Sequence, residues 1–169
     1  MAEHMSASAF SQLMNRFYAV ATDVMVETDA LIDKLVGDEV IGLYLPGWAG
    51  SRHASLAIQA AQALLRATGH GELDGPWLRV GIGVHTGIAY VGTVSGTQGT
   101  VFDLTALGDT VNTTARLMSC AGAGEVVISE AACAAAGLNP EDLEQRDLEL
   151  KGKGEIVNVR VLRIGSYSG

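Results

Sequence analysis

The sequence of 169 residues has few of the residues that would place it in several common classes of protein. Its two cysteines, Cys120 and Cys133, match no metal-ligand spacing and lie in alanine-rich contexts, so we expect small core residues in a reducing cytosol. Basic residues are scarce, because 11 Lys and Arg face 19 Asp and Glu, and the formal charge is −8. A reader of nucleic acid needs a basic face, so this balance argues against a nucleic acid partner.

Long apolar runs and hydrolase motifs are also absent. No stretch has the length that spans a bilayer, and the N-terminal MAEHMSASAF lacks the basic start and apolar centre of a secretory signal. The chain has no nucleophile elbow and no HExxH motif, which leaves a hydrolase reading without support. We therefore predict a soluble, cytoplasmic chain without membrane contact, whose length fits one domain.

Helical and strand-like patterns alternate along the chain. Apolar residues at helical spacing predict a helix over residues 9–26 with Ser8 as its cap, and a second helix over residues 51–68. Paired β-like runs predict three hairpins, with turns at Gly37-Asp38-Glu39, at Thr86-Gly87, and around Gly152 and Gly154. The sequence thus predicts an α+β sandwich with a mostly antiparallel sheet and helices packed on it.

The segment TALGDTVNTTARL, residues 105–117, predicts a further helix that is capped by Asp109. Asn112 and Arg116 are four residues apart and share one face of this helix beside apolar residues. An arginine in this setting needs an anion, because an unpaired charge near apolar surface is costly. The residues alone leave two alternatives, a functional anion contact or a surface arginine paired with a neighbouring acid.

Two glycine turns carry charged residues. KLVGDEV places Lys34 near a strand end and Asp38 in the following turn, where a carboxylate suits Mg²⁺ but is equally a solvated turn residue. LKGKGE places Lys151 and Lys153 around a turn, which is either a phosphate contact or a polar hairpin. His85 has no partner in the sequence and is interpreted as a packed or surface histidine.

Taken together, four segments resemble the class III adenylyl/guanylyl cyclase catalytic domain, from about Leu13 to the end of the chain. They are LMNRFYAVATDVMVETDALIDKLVGDEVIGLYLPG, VGIGVHTGIAYVG, TALGDTVNTTARLMSCAGAGEVVIS and LKGKGEIVNVRVL. The resemblance implies a ferredoxin-like core and a head-to-tail homodimer with ATP at its interface. It also implies a phosphorus-oxygen lyase that converts ATP to 3′,5′-cyclic AMP and pyrophosphate.

The resemblance assigns roles to individual positions. Arg116 matches the arginine that stabilises charge on the α-phosphate, and Asn112 matches the residue that orients the ribose. Lys34 and Thr105 match the two positions that read the base, and a lysine there with a threonine accompanies adenine.

The resemblance also assigns the phosphate and metal contacts. Asp38 matches one of two carboxylates that hold a pair of Mg²⁺ or Mn²⁺ ions. Lys151 or Lys153 matches the contact to the terminal phosphates, and both alternatives stay open.

The sequence departs from the family pattern at its start. The pattern begins with an interior strand whose aspartate is the other metal ligand, whereas this chain starts just past that strand. We therefore expect residues 1–169 to be a single cyclase domain that is N-terminally incomplete. Two functions stay open: an adenylyl cyclase, or a catalytically inactive nucleotide-binding or dimerisation module of the same family.

Overall fold

A computed structural model of the chain describes residues 5–95, 102–149 and 156–164. Lys151, Lys153 and the predicted turn at Gly152 and Gly154 lie outside these residues. The helices are α1 (Ala7–Glu27), α2 (Pro46–Ala49), α3 (His53–Ala67), α4 (Asp109–Ser119) and α5 (Glu130–Ala136). The strands are β1 (Leu31–Val36), β2 (Glu39–Leu43), β3 (Ile82–Val84), β4 (Tyr90–Ser95), β5 (Phe102–Leu107), β6 (Glu125–Ser129), β7 (Glu144–Glu149) and β8 (Ile156–Arg163).

The described strands form one sheet of four and two hairpins. The larger sheet has the order β3-β6-β8-β7, in which β3 runs parallel to β6 and the other pairs are antiparallel. The hairpins β1-β2 and β4-β5 are both antiparallel. The predicted α+β class with mostly antiparallel sheets is therefore confirmed.

Helices α1 and α3 cover the core with their apolar faces. In α1 the buried residues are Met14, Phe17, Ala21 and Met25, which recur at the spacing of one helical face. In α3 Leu65 is fully buried and packs in the cluster that contains Val126 and Ile128 of β6. None of the helices in the described ranges is long and apolar enough to cross a membrane.

The helix boundaries differ from the prediction at their starts. Ser6, rather than Ser8, caps α1, and its Oγ accepts a hydrogen bond from the backbone N of Ala9 at 3.2 Å. The second predicted helix begins later, at His53, because Pro46 opens the separate short helix α2 and a 3-10 turn fills Gly50–Arg52. Proline suits the first turn of a helix, since it needs no partner for an N–H there.

The predicted hairpin with a turn at Thr86-Gly87 is wrong. β3 pairs with β6, and β4 pairs with β5, in a register that places Tyr90 opposite Leu107. Alternating apolar residues identify a strand but not its partner, and a parallel pair such as β3-β6 needs a long crossover that local pattern cannot indicate.

The pairing of β2 and β3 is relevant to the interior strand that is expected from the sequence. Among the described residues, β2 pairs only with β1 and β3 pairs only with β6. Val40 of β2 and Ile82 of β3 both pack against the core cluster that joins Met14, Phe17 and Ala21 of α1 to Leu64 and Leu78. The interior strand that the family pattern carries stays a prediction.

Candidate active site

A cleft of about 270 Å³ brings together the two predicted base-reading residues. Lys34 comes from β1 and Thr105 from β5, elements that are far apart in the sequence but in contact in the fold. The residues that complete the lining are Asp33, Val36, Glu39, Ile41, Ala106 and Val111. The volume is below the roughly 300 to 1,000 Å³ of sites that enclose a whole drug-sized ligand. The cleft therefore suits a small ligand or one end of a larger one.

Helix α4 borders this cleft through Val111. The helix begins at Asp109, and its N-cap is Gly108 with φ +134° and no side-chain cap bond, so the prediction of Asp109 as the cap is wrong. Glycine is favoured at such a φ because it lacks a Cβ. The first turn is held by Thr110, whose Oγ1 donates a hydrogen bond of 2.6 Å to the carbonyl oxygen of Ile88.

Two glycines allow α4 and the segment after it to lie directly on β3 and the residues before it. A Cβ at Gly83 would stand 2.5 Å from the backbone N of Met118, and a Cβ at Gly81 would stand 2.7 Å from the carbonyl oxygen of Ala121. Real Cβ atoms do not approach backbone atoms this closely. The helix position is therefore set by contact of backbone with backbone.

The Arg116 guanidinium is half-buried and lacks a full set of partners. Its Nη1 is buried and makes no hydrogen bond to any residue in the described part of the chain. Such a donor is costly unless a ligand satisfies it. Asn112, one turn earlier, is exposed, and neither side chain is among the residues that line the 270 Å³ cleft.

Asp38 lies at the turn of the β1-β2 hairpin and is exposed. The preceding residue, Gly37, has φ +62°, and its carbonyl oxygen accepts a hydrogen bond of 2.6 Å from the Tyr18 hydroxyl of α1. The turn is thereby tied to a helix. Asp38 itself does not line the cleft that contains Lys34 and Thr105.

The described residues of one chain do not fit a two-metal site. Within the described ranges no group of three or more His, Cys, Asp and Glu side chains could hold a metal ion. One exposed carboxylate is compatible with a single Mg²⁺, because this ion takes one or two carboxylates together with substrate phosphates. Asp38 therefore fits as one ligand and does not supply the set for two ions.

A carboxylate network anchors the segment that follows α4. Glu125 Oε2 accepts hydrogen bonds of 2.9 Å from the backbone N of Gly122 and from Arg146, and Oε1 accepts one of 2.8 Å from Arg163. These contacts, with Arg146 the largest cause, hold the pKa of Glu125 at about 2, and they raise the pKa of Arg146. Because Gly122 lies just beyond α4, the network fixes the end of the helix that carries Arg116.

Two positioning contacts were not found from the sequence. His85 Nδ1 lies 2.8 Å from Ser129 Oγ, so the histidine interpreted as lacking a partner has one on β6. The bond from Tyr18 to Gly37 joins residues 19 apart. No local pattern indicates either contact, because both depend on how separate elements pack.

Comparisons with known proteins give the family of the chain. The chain matches the family described as "Adenylate and Guanylate cyclase catalytic domain" over residues 1–162. It is 31% identical over 121 residues to an adenylate cyclase of Anabaena cylindrica, which covers 69% of this chain and 24% of that protein. The chain thus spans about a quarter of that relative's length.

Two solved structures resemble the fold closely. The adenylyl cyclase CyaB from P. aeruginosa has a TM-score of 0.77 and 26% identity, with 95% of this chain and 86% of that chain covered. The guanylyl cyclase Cya2 has a TM-score of 0.79 and 24% identity, with 99% and 87% covered. The chain belongs to the adenylate and guanylate cyclase catalytic domain family.

Proposed function

We propose that the protein is an adenylyl cyclase domain that converts ATP to 3′,5′-cyclic AMP and pyrophosphate. The observation that carries this proposal is the meeting of Lys34 and Thr105 in one cleft. An ammonium donor and a hydroxyl acceptor are complementary to N1 and the exocyclic amine of adenine. The same pairing is what the resemblance to cyclases implies for an ATP-dependent member.

The base end of the nucleotide suits the cleft better than the phosphate end. Its lining combines apolar side chains with Lys34 and two carboxylates, those of Asp33 and Glu39. A triphosphate would meet net repulsion there, since the acids outnumber the single cation. A purine meets flat apolar surface with a few polar groups at its edge, as ligand sites commonly provide.

The proposed reaction needs a cation where charge develops on the α-phosphate. The ribose 3′-hydroxyl loses its proton to solvent as its oxygen attacks the α-phosphorus, the bond from the α-phosphorus to the oxygen that bridges to the β-phosphate breaks, and pyrophosphate leaves with that oxygen. Arg116 has a buried Nη1 without a partner among the described residues, and a phosphate oxygen would satisfy it. Asn112 on the same helix face is proposed to orient the ribose, because in phosphoryl transfer most of the rate comes from positioning and electrostatic stabilisation.

Asp38 is the one residue of the described chain that we propose as a ligand of a divalent metal ion. When bound, Mg²⁺ or Mn²⁺ would neutralise charge on the phosphates. Asp38 is proposed as one carboxylate ligand, and Lys151 or Lys153 as the contact to the terminal phosphates. The second carboxylate is expected on the strand that the family pattern carries ahead of α1.

We further propose a homodimer arranged head to tail. Asp38 and the base readers do not share a cleft within one chain, which favours a site assembled from two chains. The β4-β5 hairpin and the residues before it also expose apolar side chains, including Ile88, Tyr90 and Leu107. Large exposed apolar patches are typical of interaction surfaces.

The second candidate is an inactive nucleotide-binding or dimerisation module. It is favoured by the single carboxylate of the metal site described above. The retained Asn112 and Arg116 favour the enzyme, because binding a base requires neither of them.

The test is formation of cyclic AMP by the purified chain with Mn²⁺ and ATP over a range of protein concentrations. The control variant is Asp38→Ala. Activity that rises faster than linearly with protein and disappears in the control supports a dimeric cyclase. Detectable ATP binding without product supports the inactive nucleotide-binding module, and absence of both binding and product contradicts the cyclase and the nucleotide-binding module.

A further inference from the structure

A β-bulge in β1 places two consecutive side chains in the same cleft. The register of the β1-β2 hairpin runs from Ile32 opposite Gly42 to Lys34 opposite Ile41, so Asp33 has no partner on β2. In a regular strand neighbouring side chains point to opposite faces. A bulge interrupts this alternation and re-aims a side chain. Asp33 and Lys34 accordingly both line the cleft that contains Thr105.

The fold gives Asp33 no partner of its own. The residue is half-buried, and its carboxylate makes no ion pair or hydrogen bond with the rest of the described chain. A half-buried acceptor without a donor loses hydrogen bonds to water, and no hydrogen bond within the protein offsets that loss of free energy. A ligand group that donates a hydrogen bond in the cleft would satisfy it.

Adenine has one N–H donor that neither Lys34 nor Thr105 satisfies. Its exocyclic amine carries two N–H groups, and each needs an acceptor once the base is out of water. Thr105 supplies one acceptor, and Lys34 donates to the ring nitrogen beside the amine. One N–H therefore needs another acceptor, and the acceptor of the N–H on the N1 side lies close to Lys34.

We propose that Asp33 is a third base-reading residue, whose carboxylate accepts the second N–H of the exocyclic amine of adenine. This inference rests on the proposed function. Asp33 also disfavours guanine, because guanine presents an oxygen at the position of the amine and that oxygen would face a carboxylate. The bulge is the structural device that brings this acceptor beside Lys34.

Glu39 is the competing acceptor in the cleft. It lies opposite Val36 near the turn, whereas Asp33 directly precedes Lys34 in the chain. Lys34 would contact the ring nitrogen N1 of adenine and Asp33 would contact the exocyclic nitrogen, and these two nitrogens are bonded to the same carbon. An acceptor beside the lysine fits this spacing better than one a diagonal step away, at roughly 7 Å.

The experiment compares two nucleotides within each variant. We would measure displacement of a fluorescent, ribose-labelled ATP by 3′-deoxy-ATP and by 3′-deoxypurine riboside triphosphate, which lacks the amine. Neither ligand can cyclise, so binding is read without turnover. The ratio of the two affinities is independent of the fraction of folded protein, since both affinities are measured on the same protein preparation.

We expect the wild type to prefer the ligand with the amine by more than about tenfold, because the amine donates one hydrogen bond to Thr105 and one to the charged acceptor of Asp33. Asp33→Leu removes the charged acceptor and should lower the ratio about tenfold, to the smaller preference that the bond to Thr105 supports. Asp33→Asn keeps a carbonyl acceptor and should retain part of the preference. Glu39→Leu should leave the ratio at its wild-type value.

Three outcomes overturn the inference. An unchanged ratio in Asp33→Leu would mean that Asp33 does not contact the amine. Loss of the ratio in Glu39→Leu alone would assign the contact to Glu39. If folded wild-type protein does not bind 3′-deoxy-ATP, the proposed function fails and the inference fails with it, which distinguishes this result from the other two.

Discussion

The Tyr18 hydroxyl and the Gly37 carbonyl oxygen lie 2.6 Å apart in a hydrogen bond that joins α1 to the turn of the β1-β2 hairpin. The next residue is Asp38, the proposed metal ligand. Because Gly37 makes the backbone of this turn flexible, the Asp38 side chain is held in one position only if the backbone is restrained. The hydrogen bond from Tyr18 supplies that restraint. Tyr18 is thus a positioning residue for the carboxylate.

Tyr18→Phe should weaken binding of Mn²⁺ about two- to tenfold, the size of one net hydrogen bond, while the fold is retained. The phenyl ring keeps its contact with Phe17. The measurement is a Mn²⁺ titration in the presence of nucleotide. Tyr44→Phe is the matched control, because it removes a hydrogen bond of 2.8 Å between the residue that follows β2 and Thr28 at the end of α1. Equal effects of the two variants would exclude a specific role for Tyr18.

Arg116→Ala should reduce turnover by about a hundredfold or more, the usual cost of removing a group that stabilises developing charge. Stability should not fall, because the change removes a buried donor that has no partner in the described chain, and alanine favours a helix. The readouts are kcat and the melting temperature in a preparation whose wild type is active. Arg52→Ala, at an exposed position, is the control. Normal kcat in Arg116→Ala would refute the assignment.

Lys34→Glu should lower the preference for ATP over GTP. The change replaces the donor to the adenine ring nitrogen with an acceptor, which suits the N–H groups on the edge of guanine. The preference is measured as the ratio of kcat/KM for the two nucleotides, or of their affinities if turnover is low. An unchanged ratio would mean that Lys34 does not read the base.

Gly83→Ala should destabilise the protein by about 1 to 3 kcal/mol, as overpacking does, and should also lower turnover. The new methyl group would meet the backbone of Met118, which has no rotamer by which to move aside. Gly47→Ala is the control, since a Cβ at Gly47 has no atom within 4 Å in the described chain. The comparison is made by chemical denaturation. Equal stability of the two variants would contradict the close contact between β3 and α4.

Acid should destabilise the wild type through Glu125. Its folded pKa of about 2 lies below the unfolded value of 4.5, so the unfolded chain binds the proton first. The stabilisation from this carboxylate is complete above pH 4.5 and is lost as the pH falls towards 2. Glu125→Gln should show a weaker dependence of unfolding free energy on pH across this window. An identical pH profile would exclude Glu125 as a cause.

The sequence predicted the elements of the fold more reliably than their partners. The helical spacing of Met14, Phe17 and Ala21 predicted α1, because one helix face needs one buried stripe. The partner of β3 was not predictable, since β6 reaches it across a long crossover. Strand pairing is decided by packing of distant segments, and local alternation does not encode it.

The same distinction holds for the candidate site. The roles of Lys34, Thr105, Asn112 and Arg116 were expected from the resemblance to the cyclase family, and the fold brings the first two into one cleft. The participation of Asp33 in that cleft was not predicted, because alternation would turn it away from Lys34. A bulge depends on the register between two strands and leaves no residue signature in one of them.

The glycine contact between β3 and α4 has a mechanical consequence. A joint made of backbone atoms contains no rotatable side-chain bonds, so it cannot absorb a displacement by a change of rotamer. We therefore expect a shift of β3 along its axis to move α4, and Arg116 with it. The distance between Arg116 and the phosphate that it is proposed to contact would then depend on the position of β3.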